Sequence, residues 1–446
     1  MFIFDYFLDP VLMPPTIGSM LMCLSSGIVG VFVFLKKESL IGETLSHAAY
    51  PGIIMGIILS GLLSSYEGGE GPLFVFLSIL GGVIASFLGI FSIRILESVF
   101  KVKQDAALCF VLSLFFGIGI LLASYVQFAF SEMYQKAQSF LYGQAATMTF
   151  SHLKIYVVLT LALLVIFTLL FKEIEVLCFD SAYARSLGLK VGALDAFFSF
   201  LIAVAICIGV RTVGVVLMSA MLIAPAATAR QFTHRLSTLF LLAAFFSMAS
   251  GFLGNVFSNE ASIYLSNLYP NERLSLPTGP TIVLVSSFFC ILALFFAPER
   301  GLFVRFFRRL SFRYKCLLEN ILKSLWRAKP THPASFNKIA SYQNNSNLTI
   351  AFALFQLKRS GWIDKNKEGY SLTKEGEAWA KRIVRLHRLW EVYLADYLNV
   401  SVEKVHRNAE EMEHIITPEL ERELTRLLKD PEKDPHEQPI PKEELF

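Results

Sequence analysis

A row of two histidines and two glutamates lies near the carboxyl end of the chain. His406, Glu410, Glu413 and His414 stand at positions i, i+4, i+7 and i+8. On an α-helix this spacing places all four side chains on one face. Two imidazoles and two carboxylates in one row suit a divalent transition metal. The spacing therefore predicts a metal site on an amphipathic helix.

A second histidine–glutamate pair precedes this row. His387 and Glu391 stand at i and i+4 within the stretch RLHRLWEVYL, which has the periodicity of another amphipathic helix. A single pair of this kind is commonplace on a solvated helix face. Two helices that each align His and Glu favour metal binding instead. We therefore predict that both helices contribute ligands.

A third pair lies in a strongly apolar part of the chain. Glu43 and His47 stand at i and i+4, next to the apolar segment 48–64. Ionisable groups inside a membrane cost about 3 kcal/mol each to insert, so they suggest a function. The pair can offer oxygen and nitrogen ligands to a passing divalent ion. Alternatively, Glu43 lies in the interface and His47 hydrogen-bonds a neighbouring helix, and the spacing leaves both interpretations open.

The composition divides the chain into two parts. Of the 446 residues, 54% are hydrophobic and only 17% are charged, and the long apolar runs all fall within residues 1–298. Residues 299–446 have the composition of an ordinary soluble domain. The six cysteines are scattered and form no CxxC pair, so we expect no disulfide framework.

Nine apolar segments are long enough, or nearly so, to cross a bilayer. The segments at 196–210 and 213–228 are short and meet at Arg211, as either a tilted pair or one broken span. Basic residues fall in alternate loops, and the positive-inside rule places those loops in the cytoplasm. Nine crossings then predict an outer N-terminus and a cytoplasmic tail. The segments are 14–35, 48–64, 72–95, 107–127, 155–171, 196–210, 213–228, 236–256 and 281–297.

A basic stretch opens the polar part of the chain. It carries nine Lys or Arg against one Glu between Arg300 and Lys329. Its position favours contact with anionic lipid over contact with nucleic acid. Two short helices, a β-ribbon and a long amphipathic helix follow, in the order of a winged helix-turn-helix. We expect a juxtamembrane linker at 299–314, a winged helix-turn-helix domain at 315–374, a helical metal-binding and dimerisation domain at 375–430 and a charged Pro-rich tail at 431–446.

Four motifs occur in order within the first 298 residues: GETLSHAAYPG, DSAYARSLGL, VGVVLMSAMLIAPAATA and LPTGPTIVLV. Through them, residues 1–298 resemble the permease subunit of ABC transporters for manganese, zinc and iron. The resemblance implies an all-α polytopic membrane domain of about eight or nine transmembrane helices. It also implies that Glu43 and His47 line the metal path, although most relatives carry Asp where Glu43 stands.

The same resemblance implies partners for the membrane part. The motif DSAYARSLGL corresponds to the coupling helix that sits in a groove of the ATPase subunit, so we expect Asp180, Ala184 and Gly188 to contact that subunit. The chain has no Walker A pattern, so ATP must be hydrolysed by a separate polypeptide and this chain is not itself an enzyme. An external metal-binding protein and a second permease subunit, or a second copy of this chain, complete the expected assembly.

One stretch departs from the permease pattern by its length. NEASIYLSNLYPNER, at 259–273, looks longer than the corresponding stretch of relatives. The predicted topology places it on the outer side. We expect a loop insertion there, and the alternative is an element that helps to dock the external binding protein.

Residues 315–446 resemble the diphtheria-toxin-repressor and manganese-transport-regulator family of metal-dependent repressors. The matching stretches are YSLTKEGEAWAKRIVRLHRLWEVYLADYLNV, VHRNAEEMEHIITPELERELTRLLKDP and PIP. The resemblance implies two metal ions per protomer. One site corresponds to His387, Glu391 and His406, and the other to Glu410, Glu413 and His414.

In that family the first helix of the DNA-binding domain supplies the remaining ligands. The match places Cys316 where relatives have Asp or Met, and Glu319 one turn later at another ligand position. Glu410 stands where iron-type members have Cys, and a carboxylate there favours Mn(II) or Fe(II). Cys316 favours Fe(II) or Zn(II) instead. The identity of the metal therefore stays open.

The expected recognition helix is NLTIAFALFQLKR. Its candidates for contact with DNA are Thr349, Gln356, Lys358 and Arg359, because base reading needs donors and acceptors. Phe352 stands where relatives carry polar residues. It touches a thymine methyl group or packs against the domain core. A repressor of this type would bind a palindromic operator as a two-fold dimer.

The two halves together resemble permease–repressor fusions of the chlamydial type. They predict a multi-pass protein of the bacterial inner membrane: the permease subunit of an ATP-driven importer of manganese, iron or zinc, with a cytoplasmic metal-dependent repressor. We expect release of the tail by proteolysis between about Gly301 and Lys315. The alternative is a permease whose tail binds metal to gate transport and does not bind DNA. A membrane enzyme has no support from any nucleophile–base constellation in the sequence.

Overall fold

The computed structural model describes residues 4–63, 72–129, 134, 138, 140–143, 145–270, 275–328, 333–343, 345–400, 409–410 and 412–442. The chain divides into two compact units at residues 304 and 305. We call residues 1–304 the membrane unit and residues 305–446 the tail unit. Each unit has its own apolar core.

The membrane unit is a bundle of α-helices. Helix α2 begins with two prolines in its first turn, where a missing N–H group leaves no hydrogen bond unmade. The helices are α1 (Asp5–Leu8), α2 (Met13–Leu35), α3 (Ser39–Leu63), α4 (Pro72–Ser98), α5 (Gln104–Ala129), α6 (Phe150–Leu169), α7 (Phe171–Phe179), α8 (Ser181–Ser186), α9 (Val191–Val213), α10 (Met218–Phe232), α11 (Leu236–Leu268) and α12 (Thr278–Phe296).

Eight of the described helices are long and apolar enough to cross a bilayer, namely α2, α3, α4, α5, α6, α9, α11 and α12. The expected ninth span at 213–228 falls short, because α10 begins at Met218 and has 15 residues. Such a helix is roughly 22 Å long, against about 30 Å of hydrocarbon. The segment 196–210 lies inside the full-length helix α9. The described residues thus contain eight full-length spans, within the eight or nine expected, and the two segments belong to separate helices and not to one broken span.

Helix α10 nevertheless returns the chain along the bundle. Just before it, the Val215 N–H donates to the Phe140 carbonyl at 3.1 Å. At its far end, Ala229 packs with the last turns of α2. Between these points, Gly30 of α2 lies so close that an added Cβ would come within 1.9 Å of the Leu222 carbonyl oxygen. The short helix is thus held against α2 by backbone contact that only glycine permits.

Helices α2 and α3 form the centre of the membrane unit. Both are buried over most of their length, whereas α5 exposes large apolar side chains such as Phe110, Leu121 and Phe128. Exposed apolar faces are stable in a bilayer because lipid, not water, covers them. The pair Glu43 and His47 therefore belongs to one of the two most enclosed helices.

Helix α11 is much longer than a bilayer is thick. Its 33 residues extend for about 50 Å. The stretch 259–273, expected to be a loop insertion, is helical as far as Leu268, and residues 271–274 lie outside the described part of the chain. The Tyr6 hydroxyl donates to Glu260 Oε1 at 3.0 Å and accepts from Asn259 Nδ2 at 3.0 Å. The extension is therefore tied to the start of the chain.

The tail unit contains five helices and one β-hairpin among its described residues. The second to fifth helices each follow a Ser or Thr whose hydroxyl accepts a hydrogen bond from the first turn, as good N-caps do. The elements are α13 (Leu302–Arg327), α14 (Phe336–Ser341), α15 (Asn347–Arg359), β1 (Ile363–Asn366), β2 (Gly369–Leu372), α16 (Lys374–Asp396) and α17 (Pro418–Leu427).

The hairpin follows two helices, which is the order of a winged helix-turn-helix. Strands β1 and β2 pair antiparallel, with Ile363 opposite Leu372. Their apolar side packs with α13, α15 and α16 in a core that includes Ile321, Leu354 and Ile383. The predicted fold class, a polytopic helical membrane domain followed by a winged helix and a helical domain, is confirmed.

The stretch expected to be a linker, 299–314, is helical from Leu302 onward. Its surface alternates exposed apolar side chains such as Phe306 and Phe307 with exposed arginines such as Arg305 and Arg309. This segment is thus an amphipathic helix and not an extended connection. Backbone inside a helix is less open to proteases than an extended chain.

Candidate functional site

Glu43 and His47 lie in the first half of helix α3. Glu43 is half-buried and lines a cavity of about 440 Å³ between α3, α10 and α12, together with Ser219 and Ser287. His47 lies one turn further along the helix. Its side chain is buried, and its ring stands edge-on to that of Phe116 of α5, with 4.6 Å between the ring centroids. The structure thus places a carboxylate at a cavity wall and an imidazole just beyond it.

The Nδ1 atom of His47 is buried and has no hydrogen-bond partner in the described part of the protein. Leaving a buried polar atom unpaired costs about 1–3 kcal/mol, so such atoms need an explanation. A structural histidine that bonds to a neighbouring helix would satisfy this nitrogen. A lone pair kept free is what a nitrogen ligand to a passing ion requires.

The motif DSAYARSLGL forms the short helix α8 and its ends. The Asp180 carboxylate accepts hydrogen bonds from the Ala182 and Tyr183 N–H groups at 2.9 Å, so it is the N-cap of the helix. Gly188 has φ +81° and ends the helix, and open space surrounds its α-carbon. Ala184 is fully buried. Asp180 and Gly188 thus shape the helix, and Ala184 packs inside the protein itself.

The exposed surface of α8 also includes large side chains. Tyr183 and Leu187 are each 54% exposed, and Phe179 just before the helix is 66% exposed. Sequence reasoning chose the small residues of this motif and missed these large ones. The signal was available, because Tyr183 and Leu187 stand at i and i+4 on a helix too short to bury both faces.

A cluster of ionisable side chains forms where three segments of the tail unit meet. Helix α13 supplies Glu319 and Lys323, helix α16 supplies His387 and Glu391, and residues 412–414 supply Glu413 and His414. We call these six residues the tail cluster. All but Glu319 are almost completely buried. The structure therefore brings together the predicted pair of α16 and two members of the predicted row.

Lys323 lies at the centre of one end of the tail cluster. Its ammonium donates to both Glu413 carboxylate oxygens, at 2.7 and 2.9 Å, and lies 3.2 Å from His387 Nδ1. His387 Nδ1 is 2.5 Å from Glu413, and His387 Nε2 is 3.1 Å from Glu391. Two cationic and two anionic groups share this end. Such a balance is what permits charges to stay buried.

The environment changes the proton affinities of these groups. Burial lowers the pKa of the Lys323 ammonium, and the adjacent Glu413 carboxylate offsets this only in part. Burial also disfavours a charged His387, but hydrogen bonds to Glu391 and Glu413 outweigh it and raise the pKa of His387. Burial raises the pKa of Glu413, yet the hydrogen bond to His387 and the charge of Lys323 bring it below the usual value. The cluster therefore favours an ionised carboxylate between two cations.

The other end of the tail cluster is more open. His414 Nδ1 lies 2.5 Å from Glu319 Oε2, and His414 Nε2 lies 3.5 Å from Glu413 Oε1. Lys315 approaches Glu319 at 3.6 Å, but its side chain is 60% exposed. Burial raises the pKa of the Cys316 thiol, which lies one turn before Glu319. An imidazole and two carboxylates therefore adjoin one another here, with a thiol nearby.

Two further predicted ligands, Glu410 and His406, are not part of the tail cluster. Glu410 is exposed and lines a cavity of about 640 Å³, together with Lys323, Arg327 and Lys338. His406 lies outside the described residues. In the described part of the chain, no three His, Cys, Asp or Glu side chains converge as a ready metal-ligand group. Metal binding in the tail thus requires side chains to exchange their present hydrogen bonds for the ion.

The donor types fit a divalent ion at one end of the tail cluster but not at the other. Glu319 and His414 provide oxygen and nitrogen donors that Mn(II), Fe(II) and Zn(II) accept, and they lie next to each other. At the opposite end, the Lys323 ammonium already engages His387 and Glu413. Sequence reasoning missed Lys323, because it counted this lysine as one more charge of the basic stretch.

Helix α15, the expected recognition helix, presents an unexpected surface. Gln356 Oε1 accepts a hydrogen bond from the Tyr314 hydroxyl at 2.8 Å, and the Thr349 hydroxyl lies 2.8 Å from that of the N-cap Ser346. Lys358 and Arg359 are exposed at the end of the helix. The helix also exposes large apolar side chains, namely Leu348 (85%), Phe352 (61%) and Phe355 (62%). Phe352 is therefore not packed in the domain core.

The chain matches two families. Residues 9–297 match the ABC 3 transport family, and residues 373–442 match the iron dependent repressor, metal binding and dimerisation domain. A probable metal transport system membrane protein of Chlamydia trachomatis is 34% identical over 443 residues, which cover 98% of this chain and 97% of that protein. The manganese transport system membrane protein MntC of Bacillus subtilis is 31% identical over 380 residues, 84% of this chain and 82% of that protein.

A solved structure supports the fold of the membrane unit. PsaBC from Streptococcus pneumoniae, in complex with Fab, aligns with a TM-score of 0.55 and 23% identity over 67% of this chain and 96% of that chain. The bundle and its eight apolar helices define a multi-pass membrane permease. The chain belongs to the ABC 3 transport family and carries a C-terminal metal-binding and dimerisation domain of the repressor type.

Proposed function

We propose that this protein is the permease subunit of an ATP-driven importer of a divalent transition metal, manganese, iron or zinc. The observation that carries the proposal is the enclosed pair on α3. Glu43 lines a cavity, and one turn away His47 keeps a buried nitrogen without a partner in the described residues. A passing ion could bind first to the carboxylate and then to the imidazole. Two separate ligands of this kind would hold the ion only weakly, so it could move on.

Metal-resolved uptake tests this proposal. Cells that produce the chain together with its ATPase subunit, its external binding protein and any second permease subunit should accumulate manganese, iron or zinc above cells that produce the same partners without this chain. Uptake should require ATP, since an ABC permease moves its substrate only when its partner hydrolyses nucleotide. If none of the three metals accumulates while the whole complex is assembled in the membrane, the proposal is wrong.

The membrane unit requires partners. A separate ATPase would dock on α8 through Tyr183 and Leu187, which are exposed, while Asp180 and Gly188 hold the helix in shape. A second permease subunit, or a second copy of this chain, would complete the path, and an external protein would deliver the ion. The basic residues of alternate loops support a cytoplasmic tail by the positive-inside rule, as expected for a protein of the bacterial inner membrane.

We also propose that the tail unit senses the imported metal. The tail cluster collects imidazole and carboxylate groups from three segments that are distant in sequence. An ion bound by such groups would fix the position of α13, which is part of the winged helix, relative to α16. Metal binding would in this way change how the winged helix is presented, which is what a metal-dependent repressor needs.

Two outputs of this sensor are open to experiment. The repressor interpretation rests on the winged helix and on the exposed Lys358 and Arg359, which suit phosphate contacts. A tail that gates transport without binding DNA is favoured by the apolar surface of α15, because Phe352 and Phe355 offer no hydrogen bonds to base edges.

A gel-shift assay separates the two outputs. The detergent-solubilised chain is mixed with DNA from upstream of its own gene, with and without Mn(II) or Fe(II). A repressor should shift the DNA only with metal, and reversal of the charges of Lys358 and Arg359 to Glu should abolish the shift. If no metal concentration shifts the DNA while metal-dependent uptake is intact, the result supports a tail that gates transport without binding DNA.

Release of the tail by proteolysis remains part of this proposal. Cleavage between Gly301 and Lys315 would need the first turns of α13 to unfold locally, because this stretch is helical. An antibody against the C-terminus decides the matter on a blot of fractionated cells. A soluble band of roughly one third of the 50.0 kDa chain supports release. A signal confined to full-length protein in the membrane fraction eliminates it.

A further inference from the structure

A lysine is buried among the groups expected to bind metal. Lys323 is 4% exposed, and its neighbours on α13 include the core residues Ile321, Leu322 and Leu325. An ammonium in such a place is costly unless it is fully paired. Here it is paired with both oxygens of Glu413 and faces Nδ1 of His387. These two residues belong to the predicted metal ligands.

An ammonium and a metal ion compete for the same electron pairs. A divalent ion held by His387 and Glu413 would need a deprotonated imidazole and the Glu413 lone pairs that now accept hydrogen bonds from Lys323, at ligand distances near 2.0–2.2 Å. It would also stand beside the positive charge of Lys323, whose side chain is only 5% exposed and is held by both oxygens of Glu413. The charge balance at this end is therefore complete without a metal.

The end that contains Glu319 and His414 lacks such an obstacle. The cation nearest to Glu319 is Lys315, which lies 3.6 Å away on an exposed side chain and can turn into solvent. The cavity of about 640 Å³ that Glu410 borders lies at the opposite end, where Lys323, Arg327 and Lys338 line it and add positive charge that disfavours a metal ion. One end of the tail cluster can thus admit an ion, while the other is occupied by the protein itself.

We propose that the Lys323 ammonium is a resident cation that replaces one of the two metal ions, so that the tail unit binds a single divalent ion at the end of the tail cluster that contains Glu319 and His414. The inference rests on the proposed metal-sensing function. The contact between α13 and α16 is then held by Lys323 without metal. Only the remaining ion is regulatory. Its binding to one tail unit follows the hyperbolic curve of a single site.

Ion counting on the intact protein tests the proposal. The full-length chain in detergent is dialysed to equilibrium against Mn(II), and bound manganese is counted by elemental analysis. Lys323→Glu replaces the ammonium with a carboxylate and should bind one ion more per protomer than the native chain. Arg313→Glu makes the same charge change on an exposed position of α13 and should leave the count unchanged. Equal counts for the native chain and Lys323→Glu overturn the proposal.

Folding of the variants is followed in the same samples. All four tryptophans of the chain, Trp326, Trp362, Trp379 and Trp390, lie in the tail unit, so tryptophan emission reports on this unit alone. If Lys323→Glu does not fold, Lys323→Met provides the second measurement. It leaves Glu413 without its cation, so the metal-free midpoint should fall by more than about 5 °C, and Mn(II) should restore it. If Mn(II) raises the unfolding midpoint of the native chain as much as that of Lys323→Met, the proposal is contradicted.

A further variant separates this inference from the function on which it rests. His414→Ala removes a ligand of the remaining site and should lower the manganese count of the native chain by one. If this variant loses no ion, the tail unit does not bind metal through the cluster, and the proposed sensing function is wrong. If His414→Ala loses one ion while Lys323→Glu gains none, the proposed metal-sensing function is supported. The proposal that Lys323 replaces a metal ion is then wrong.

Discussion

The ionisable residues of the membrane unit and those of the tail cluster differ in their hydrogen bonding. In the membrane unit, His47 keeps a buried nitrogen without a partner in the described residues, beside the cavity that Glu43 lines. In the tail unit, His387 has carboxylates at both ring nitrogens, and Lys323 fills the space between. A path must leave its ligands unsatisfied so that an ion can enter and leave. A sensor can keep its ligands paired and let the ion compete for them.

The largest effect is expected in the membrane unit. His47→Ala and Glu43→Gln should each reduce metal uptake roughly tenfold or more, because each removes a ligand from the path. Metal uptake and association with the ATPase subunit are measured together. Ser46→Ala, on the same helix between the two, is the matched control and should transport normally. Near-native uptake by both ligand variants would mean that the pair is structural.

The tail cluster should respond to a broken pair through stability. Glu413→Ala leaves Lys323 buried without its carboxylate, and loss of one partner of a buried pair costs about 3–5 kcal/mol. Tryptophan emission during thermal unfolding measures the loss in the tail unit. The double variant Lys323→Met, Glu413→Leu should recover most of it, since it replaces the pair with apolar groups. A double variant no more stable than the single one would refute this account.

The pH dependence of stability should show the same pairing. Glu413 has a pKa below its usual value of 4.5, so its contribution to stability is present above about pH 4.5 and is lost as the pH falls through the lower folded value. His387 has a pKa above 6.5, so its contribution is present below about pH 6.5 and is lost as the pH rises through the higher folded value. Unfolding midpoints of the tail unit between pH 3 and pH 8 measure both losses. Glu413→Gln should flatten the acid side, and an unchanged acid limb would contradict the assignment.

A smaller effect is expected at the surface of α8. Tyr183→Asp places a charge on the exposed face proposed to meet the ATPase, and loss of an aromatic contact of this kind weakens binding roughly tenfold. Co-purification and transport-coupled ATP turnover measure it. Gly188 is a poorer test, because a substitution there also strains a backbone with φ +81°. Tight binding of the ATPase to Tyr183→Asp would exclude this docking surface.

The smallest effect concerns the cap of the same helix. Asp180→Ala removes the acceptor of two N–H groups and should destabilise α8 by about 1 kcal/mol. ATPase association should weaken only slightly, and Asp180→Asn, which can still cap, should behave like the native chain. A loss as large as that of Tyr183→Asp would show that Asp180 touches the partner directly.

Local sequence rules predicted much of the fold. Apolar periodicity predicted the helices of the tail unit, and the order of elements predicted the winged helix. The length of α10 was not predictable, because apolar composition continues through 213–217 although the helix begins only at Met218. Hydrophobicity along a segment does not show where the backbone turns.

The sites were predicted less completely than the fold. Spacing brought His387 and Glu391 together on one helix, as the structure has them. Whether Ala184 faces a partner or the protein itself depends on tertiary packing, which no local pattern encodes. Lys323 was hidden for a related reason. Its role arises from Glu413, 90 positions away, and not from the basic stretch around it.

The contact between Tyr6 and Glu260 has a consequence for the order of synthesis. The two residues are 254 positions apart in the chain, and α11 carries the partner at the end that outruns the bilayer. Ribosomes add about 5–20 residues per second, so the first turn of the protein waits roughly 13–50 s for the residue that fixes it. During that interval Tyr6 lacks the hydrogen-bond partner that it has in the folded protein. Conditions that slow translation should therefore lengthen the time in which this end of the nascent permease is exposed to quality-control proteases.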